Sequence, residues 1–221
     1  MLKDLIKAFS VFNSAELSDA LDACKLEGAL FSIHALAPGT KLIGSAYTIR
    51  YTPYEQKPVD FQGAADYIDE VPSHSVIVID NGGRIDCTTW GEILTEFALL
   101  KGIAGTVVHG AVRDAGFIRE VKYPVFCKGI YMRSGKNRVY MAEKQGTLNI
   151  QGITIKPEDI IFGDDNGVLA IPRNLAEEVL EKAKNIKESE KKIIAAIHKG
   201  RSLRQARQDY QYHTPWLKKQ D

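Results

Sequence analysis

Apolar residues recur along this chain first at helical spacing, then at the two-residue spacing of strands, then in short unbroken runs. Leu17, Ala20, Leu21 and Cys24 line one face of a helix. Ser14 is its expected N-cap, the hydroxyl accepting a first-turn amide proton, and Gly28 its expected stop. From Lys41 to Pro53 the pattern alternates, so Ile43, Tyr47, Ile49 and Tyr51 can share one face of a strand. Ser75-Val-Ile-Val-Ile-Asp80 is a continuous β-branched run, which predicts a strand covered on both faces. A glycine-containing loop is expected over Asn81 to Thr88. A helix follows with an apolar stripe of Trp90, Ile93, Leu94, Phe97 and Leu100, closing at Gly102, and then a strand Gly105–His109. Strand, helix and strand make a parallel crossover of right-handed sense. A short helix from Asp114 to Val121 and a strand around Pro124–Cys127 repeat the unit.

Beyond Lys128 the pattern is β-rich: Arg138–Ala142, Thr147–Ile150, Ile153–Lys156, Asp159–Phe162 and Val168–Ile171, separated by glycines and charged turns. After Pro172 a long helix is expected, with Leu175, Val179, Ala183, Ile186, Ile193 and Ile197 as its apolar side and Gly200 as its end. The order of elements predicts an α/β protein of β/β/α layering with a long C-terminal helix. The expected organisation is a single domain over 1–200 and a tail over 201–221. Tyr210, Tyr212, Pro215 and Trp216 suit that tail to a neighbouring subunit better than to water.

Composition narrows the function classes. The 221 residues are 44% hydrophobic and 26% charged, the balance of a globular protein with a sizeable core. Twenty-nine basic residues nearly cancel twenty-eight acidic ones, so no global field draws the chain to nucleic acid or a membrane surface. No run approaches the roughly 20 apolar residues that span a bilayer, and the N-terminus lacks the apolar stretch of a signal peptide. The expected compartment is the cytoplasm. Cys24, Cys87 and Cys127 are too few and too scattered for a zinc ribbon or a disulfide framework, and are read as reduced, mostly buried thiols.

The candidate chemistry lies between Asn81 and Gly116. The N-terminus of the helix after Trp90 offers free amide protons and the positive end of a dipole, which suits an anion. In a parallel unit, the loop entering that helix and the loop after the next strand both lie at the carboxyl edge of the strands, where α/β proteins place ligands. Arg113 and Asp114 occupy the second loop, and an arginine beside a carboxylate can hold an anionic substrate and a divalent cation side by side.

The segment Gly91-Glu-Ile-Leu94, followed after 22 positions by Arg113-Asp114, resembles the signature of the family containing regulator of ribonuclease activity A and 4-hydroxy-4-methyl-2-oxoglutarate aldolase. Ser18-Asp-Ala-Leu-Asp22, Gly102-Ile-Ala-Gly-Thr-Val-Val108, Gly110-Ala-Val-Arg-Asp114, Pro124-Val-Phe126 and Gly163-Asp-Asp-Asn-Gly-Val168 have counterparts in the same order, so the resemblance runs from about Ser14 to Gly200. It implies a swivelling β/β/α (phosphohistidine-domain-like) fold, a homotrimer or dimer of trimers, and active sites at subunit interfaces. It implies a metal-dependent lyase, an aldolase or decarboxylase releasing pyruvate from a small 2-oxo acid. Amides within Gly91, Glu92, Ile93 and Leu94 would hold the substrate carboxylate, Arg113 would polarise the keto oxygen, and Asp114 would anchor Mg²⁺ or Mn²⁺. The enolate left by cleavage must be stabilised as its charge develops, and a cation beside an arginine does so without a Schiff-base lysine.

Several residues have a second reading. Thr89-Trp-Gly-Glu92 has the form of a capping box, which competes with free amides at Ile93 and Leu94. Asp19 lies near where the family places an acid reaching across the interface, but also reads as a solvated helix residue, and Arg201-Ser202 stands where a further carboxylate would be sought. His109 reads as a hydrogen-bonded strand-end histidine, Gly82-Gly83 as a tight turn and Asp164-Asp165 as turn residues. The competing function is a non-enzymatic regulator that binds a ribonuclease. A methyltransferase acting on demethylmenaquinone, a third name attached to the family, ranks last because no glycine-rich strand-to-helix loop is present.

Overall fold

The computed structural model describes residues 2–55 and 65–214, so Pro215 and Trp216 of the expected tail lie outside the described residues. The helices are α1 (Leu2–Phe9), α2 (Ser14–Ala23), α3 (Glu92–Lys101), α4 (Ala115–Glu120), α5 (Ala176–His198) and α6 (Leu203–Asp209). The strands are β1 (Ala29–Leu30), β2 (His34–Ala35), β3 (Leu42–Pro53), β4 (Ser75–Thr88), β5 (Gly105–Val112), β6 (Val125–Ile130), β7 (Val139–Lys144), β8 (Leu148–Ile150), β9 (Ile153–Ile155), β10 (Ile160–Asp164) and β11 (Gly167–Ile171). The chain divides into two compact units, Gly28–Arg173 and the pair Met1–Glu27 with Asn174–Asp221.

The Gly28–Arg173 unit is built on a mixed sheet of order β1-β11-β10-β3-β4-β5-β6-β2, with β7 pairing β3 and with β8-β9 as a separate hairpin. The centre, β3-β4-β5-β6, is parallel. The apolar run of β4 is buried on both faces as its composition predicts: Ile77 and Ile79 enter one core cluster, Val76 and Val78 the other. Helices α3 and α4 are the crossovers.

Three local expectations are corrected. Asn81–Thr88 is not a loop, because β4 runs on to Thr88 through two shifts of register against β5. Gly82 and Gly83, at φ 62° and 70°, absorb the extra residues as bulges, so a glycine pair that reads as a turn prolongs a strand. The apolar stripe of α3 is only in part its buried face: Trp90 is buried and Leu94 and Phe97 pack against the core. Thr95 and Ala98 are fully buried, whereas Ile93 and Leu100 are 79% and 86% exposed. Small side chains let the helix axis approach the sheet, and periodicity cannot tell which of several apolar residues face inward. The N-cap of α2 is Asn13, which forms a capping box with Glu16, and its end comes at Cys24 and the left-handed Lys25, ahead of Gly28.

The other unit carries α1, α2, α5 and α6. Helix α1, not foreseen from the pattern, contributes the buried Phe9. Buried Glu16 is held by the Asn13 amide and by Lys187 of α5. Part of the expected tail is helical: α6 starts at Ser202, whose hydroxyl accepts from the Gln205 amide, and buries Ala206. Among the described residues, no helix is long and apolar enough to cross a membrane.

The burial pattern of α3 yields a test. Ala98→Leu overpacks the helix–sheet contact and is expected to cost about 1–3 kcal/mol in urea unfolding; an unchanged midpoint would show that Ala98 does not face the sheet.

Candidate active site

The β4-α3-β5 crossover brings two loops to one sheet edge, and backbone bonds lock them together. The Arg113 amide donates to the Trp90 carbonyl at 3.0 Å. Trp90 anchors the start of α3: its indole N–H donates to Thr95 Oγ1 at 2.9 Å, and that hydroxyl donates to the Gly91 carbonyl at 2.9 Å. The indole lies parallel to the Tyr123 ring with centroids 6.0 Å apart. An aromatic ring bonded at its polar edge and packed on its face has little freedom, so the helix start is rigid.

Helix α3 is capped neither by Thr89 nor by any side chain of its own segment. The N-cap is Gly91, and the capping-box reading of Thr89-Trp-Gly-Glu92 is overturned. The place is taken by Asp114, whose Oδ2 accepts the Glu92 amide at 2.9 Å. Asp114 adopts a left-handed conformation (φ 55°), which a short polar side chain tolerates. Its approach needs a residue without a side chain at position 91: a Cβ there would stand 2.6 Å from Asp114 Oδ2 and 3.0 Å from Arg113 Cγ. Arg113 Nε lies 3.5 Å from the same carboxylate oxygen. Among the described residues, the amides of Ile93 and Leu94 have no backbone acceptor and no side-chain cap, as expected at the second and third positions of a helix.

These groups border a cavity of about 400 Å³. Of the residues singled out in the sequence, Gly91, Ile93, Leu94 and Arg113 line it. Asp114 sits beside Arg113, behind Gly91, and Glu92 is exposed, with only its amide engaged here. Much of the remaining wall comes from residues that sequence reasoning did not place at the site: Tyr51, Asp66, Thr88, Thr89 and Ser134–Lys136. The 131–138 connection is stitched to β4 by the Gly135 amide donating to the Thr88 carbonyl at 2.7 Å, and a Cβ at Gly135 would stand 2.6 Å from that carbonyl oxygen. A polar, glycine-containing triplet ahead of a strand was the one local signal, and it reads equally well as an ordinary turn. Burial pushes the Tyr51 phenol up.

The other candidates fall elsewhere. His109 is buried on β5 with Nδ1 bonded to Asp80 Oδ1 at 2.8 Å, and Gly83 packs against its Nε2 side. Gly82 and Gly83 are not among the residues lining the cavity. Asp164 and Asp165 lie at the β10-β11 turn, where Asp164 accepts the Asn166 amide and Asp165 the Gly39 amide. Asp19 lies on α2, its carboxyl raised by partial burial and by Asp22. Cys87 and Cys127 are buried, and burial pushes the Cys127 thiol up to about 11, which suits a structural thiol rather than a nucleophile. Among the described residues, no group of three or more His, Cys, Asp or Glu converges as a metal cage.

The sequence profile of the Aldolase/RraA family matches residues 14–170. The chain is 58% identical over 216 residues to protein DlpA of Legionella pneumophila; the match covers 98% of this chain but only 35% of that protein, so the chain spans about a third of DlpA. It is 32% identical to a putative 4-hydroxy-4-methyl-2-oxoglutarate aldolase of Halalkalibacterium halodurans, with 82% of each covered. A crystal structure of an uncharacterised Pseudomonas syringae protein, 41% identical, superposes with a TM-score of 0.85 over 93% of this chain and 97% of that one.

The cross-loop cap is directly testable. Asp114→Ala is expected to lower stability by about 1 kcal/mol, the usual cost of losing a capping acceptor, and to speed hydrogen exchange at the Glu92 amide. Unchanged protection of that amide would reject the cap.

Proposed function

We propose, since the chain belongs to the Aldolase/RraA family, that it is a divalent-metal-dependent lyase that cleaves a small 2-oxo acid to pyruvate, by retro-aldol cleavage or by decarboxylation. One arrangement carries this reading: Ile93 and Leu94, whose amides have no partner among the described residues, line the same cavity as Arg113, with Asp114 locked beside them. The named aldolase among its relatives supports the same chemistry.

A substrate carboxylate fits the amide pair, where the helix dipole adds to the two donors. Arg113 has no protein partner among the described residues other than Asp114, so its terminal nitrogens are available to the keto oxygen. As the bond beyond C3 breaks, charge collects on that oxygen, and a guanidinium already in place stabilises it without reorganisation. Asp114 commits Oδ2 to the Glu92 amide and Arg113, leaving Oδ1 without a hydrogen bond among the described residues. One carboxylate oxygen suits a hard cation such as Mg²⁺ or Mn²⁺, which keeps several waters and binds through one or two carboxylates together with its substrate. It does not suit a preformed tetrahedral zinc site. When bound, such a cation supplies Lewis-acid stabilisation of the enolate oxygen.

A homotrimer or pair of trimers belongs to the same proposal. The exposed Ile93 and Leu100 of α3, with Met132 at 79% exposure, are apolar side chains that a second copy would cover. The ribonuclease-regulator reading rests on the family name, and its test is capture of a ribonuclease that survives loss of Arg113 and Asp114.

The deciding assay is pyruvate formation from oxaloacetate and from 4-hydroxy-4-methyl-2-oxoglutarate, with Mg²⁺, with Mn²⁺ and with chelator. Turnover is expected to need the metal and to fall by at least about a hundredfold in Arg113→Ala and Asp114→Ala, the usual cost of removing a group that stabilises developing charge. Activity indifferent to both substitutions rejects the site.

A further inference from the structure

Another cavity, of about 340 Å³, lies at the opposite edge of the sheet, where residues 36–41 lead into β3 and residues 122–124 into β6. Its buried lining is apolar, for Leu36, Ile118 and Tyr123 all belong to a core cluster. Arg119 and Lys122, both exposed, stand at its rim. The Arg119 guanidinium is held there by its Nε, which donates to the Leu36 carbonyl at 3.0 Å. Neither Arg119 nor Lys122 has an acidic partner among the described residues, whereas Arg50, Arg84, Arg173 and Arg201 are each paired with a carboxylate. The end of α4 does not account for the two cations. It closes in a Schellman turn, in which the Lys122 amide donates to the Arg119 carbonyl at 3.2 Å and the Tyr123 amide to the Ile118 carbonyl at 3.3 Å. Lys122 holds the left-handed position of that turn (φ 55°), where glycine is the usual residue.

An anion with an apolar body answers such a site. A carboxylate meets the terminal nitrogens of Arg119 as a planar pair, with Lys122 beside them, while the body covers Leu36, Ile118 and Tyr123. The volume is at the low end for small-molecule pockets, so it suits a single ring or a branched chain rather than a nucleotide. Helix α4 joins this cavity to the candidate active site: Asp114 is its N-cap, and Lys122 lies just past its last turn. Tyr123 borders both regions. It lines the second cavity, and its ring lies parallel to Trp90, which lines the first.

We propose that this cavity is an effector site for a small carboxylate with an apolar body, an aryl or branched-chain acid, and that its occupancy reaches the start of α3 through Tyr123 and Trp90. A ligand shifts a second site only when it binds one arrangement more tightly than another. The body of the acid rests against Tyr123, so its affinity depends on where that ring stands against Trp90.

The test is titration of the isotopically labelled full chain with benzoate, followed by amide and indole NMR. Benzoate is expected to shift the Thr40, Arg119 and Lys122 amides saturably, and the Trp90 indole N–H with the same midpoint. Benzyl alcohol, which lacks the charge, and acetate, which lacks the apolar body, are expected to bind at least about tenfold more weakly. Arg119→Gln is expected to weaken benzoate by about tenfold, and Lys122→Gly by about twofold to fivefold, the worth of an exposed ion pair. Lys122→Gly should melt no lower than the wild type, because glycine suits the left-handed position, so its weakened binding is not a folding defect. The Trp90 response should weaken in step in that variant. Absence of saturable shifts, shifts confined to Gly91–Leu94, or equal affinity for benzoate and benzyl alcohol overturns the site. A Trp90 indole resonance that stays in place while Thr40, Arg119 and Lys122 respond overturns the route to α3.

Discussion

The site depends on one contact, in which the carboxylate of Asp114 reaches through the space left by Gly91 and accepts the first amide of α3. That bond does three things at once. It caps the helix from a segment 22 positions away, it holds the left-handed turn that ends β5, and it fixes the backbone from which Arg113 projects. The cap comes from outside the helix's own segment and serves only Glu92, and the next two amides have no partner among the described residues.

Charge is balanced locally. The positive end of a helix is worth about 0.3–1 kcal/mol to an exposed anion and up to about 2 kcal/mol where the geometry is partly buried, while a hydrogen bond to a charged group contributes about 1.5–3 kcal/mol. Asp114 answers one amide and lies against Arg113, but it cannot also reach Ile93 and Leu94. The near-neutral chain adds no long-range attraction for polyanions.

Much of this was readable from residue patterns. The β-branched run of β4 specifies a doubly covered strand because alternate residues must satisfy two apolar faces, and Ile77 and Val78 do so. Gly91–Leu94 and Arg113-Asp114 were readable because a crossover of fixed handedness puts both loops on one edge. The capping motif was not reliable. Asn13-x-x-Glu16 forms a capping box and Thr89-x-x-Glu92 does not, although both have the required residues at the required spacing. The difference is a competitor: Asp114 occupies the first amide of α3, while nothing displaces Glu16 from the Asn13 amide.

By itself, then, the order of residues determined the parallel crossover and the placing of the arginine–carboxylate pair, which follow from short-range periodicity and spacing, while its motifs carried the resemblance to the family. Only the tertiary structure decided which face of α3 is buried, that Gly82-Gly83 prolongs a strand, that Asp114 is a cap, and that Thr89 and the 134–136 segment share a wall with Arg113. Those outcomes depend on how closely backbones approach and on which of several acceptors reaches an amide first, and neither quantity is local to any stretch of the chain.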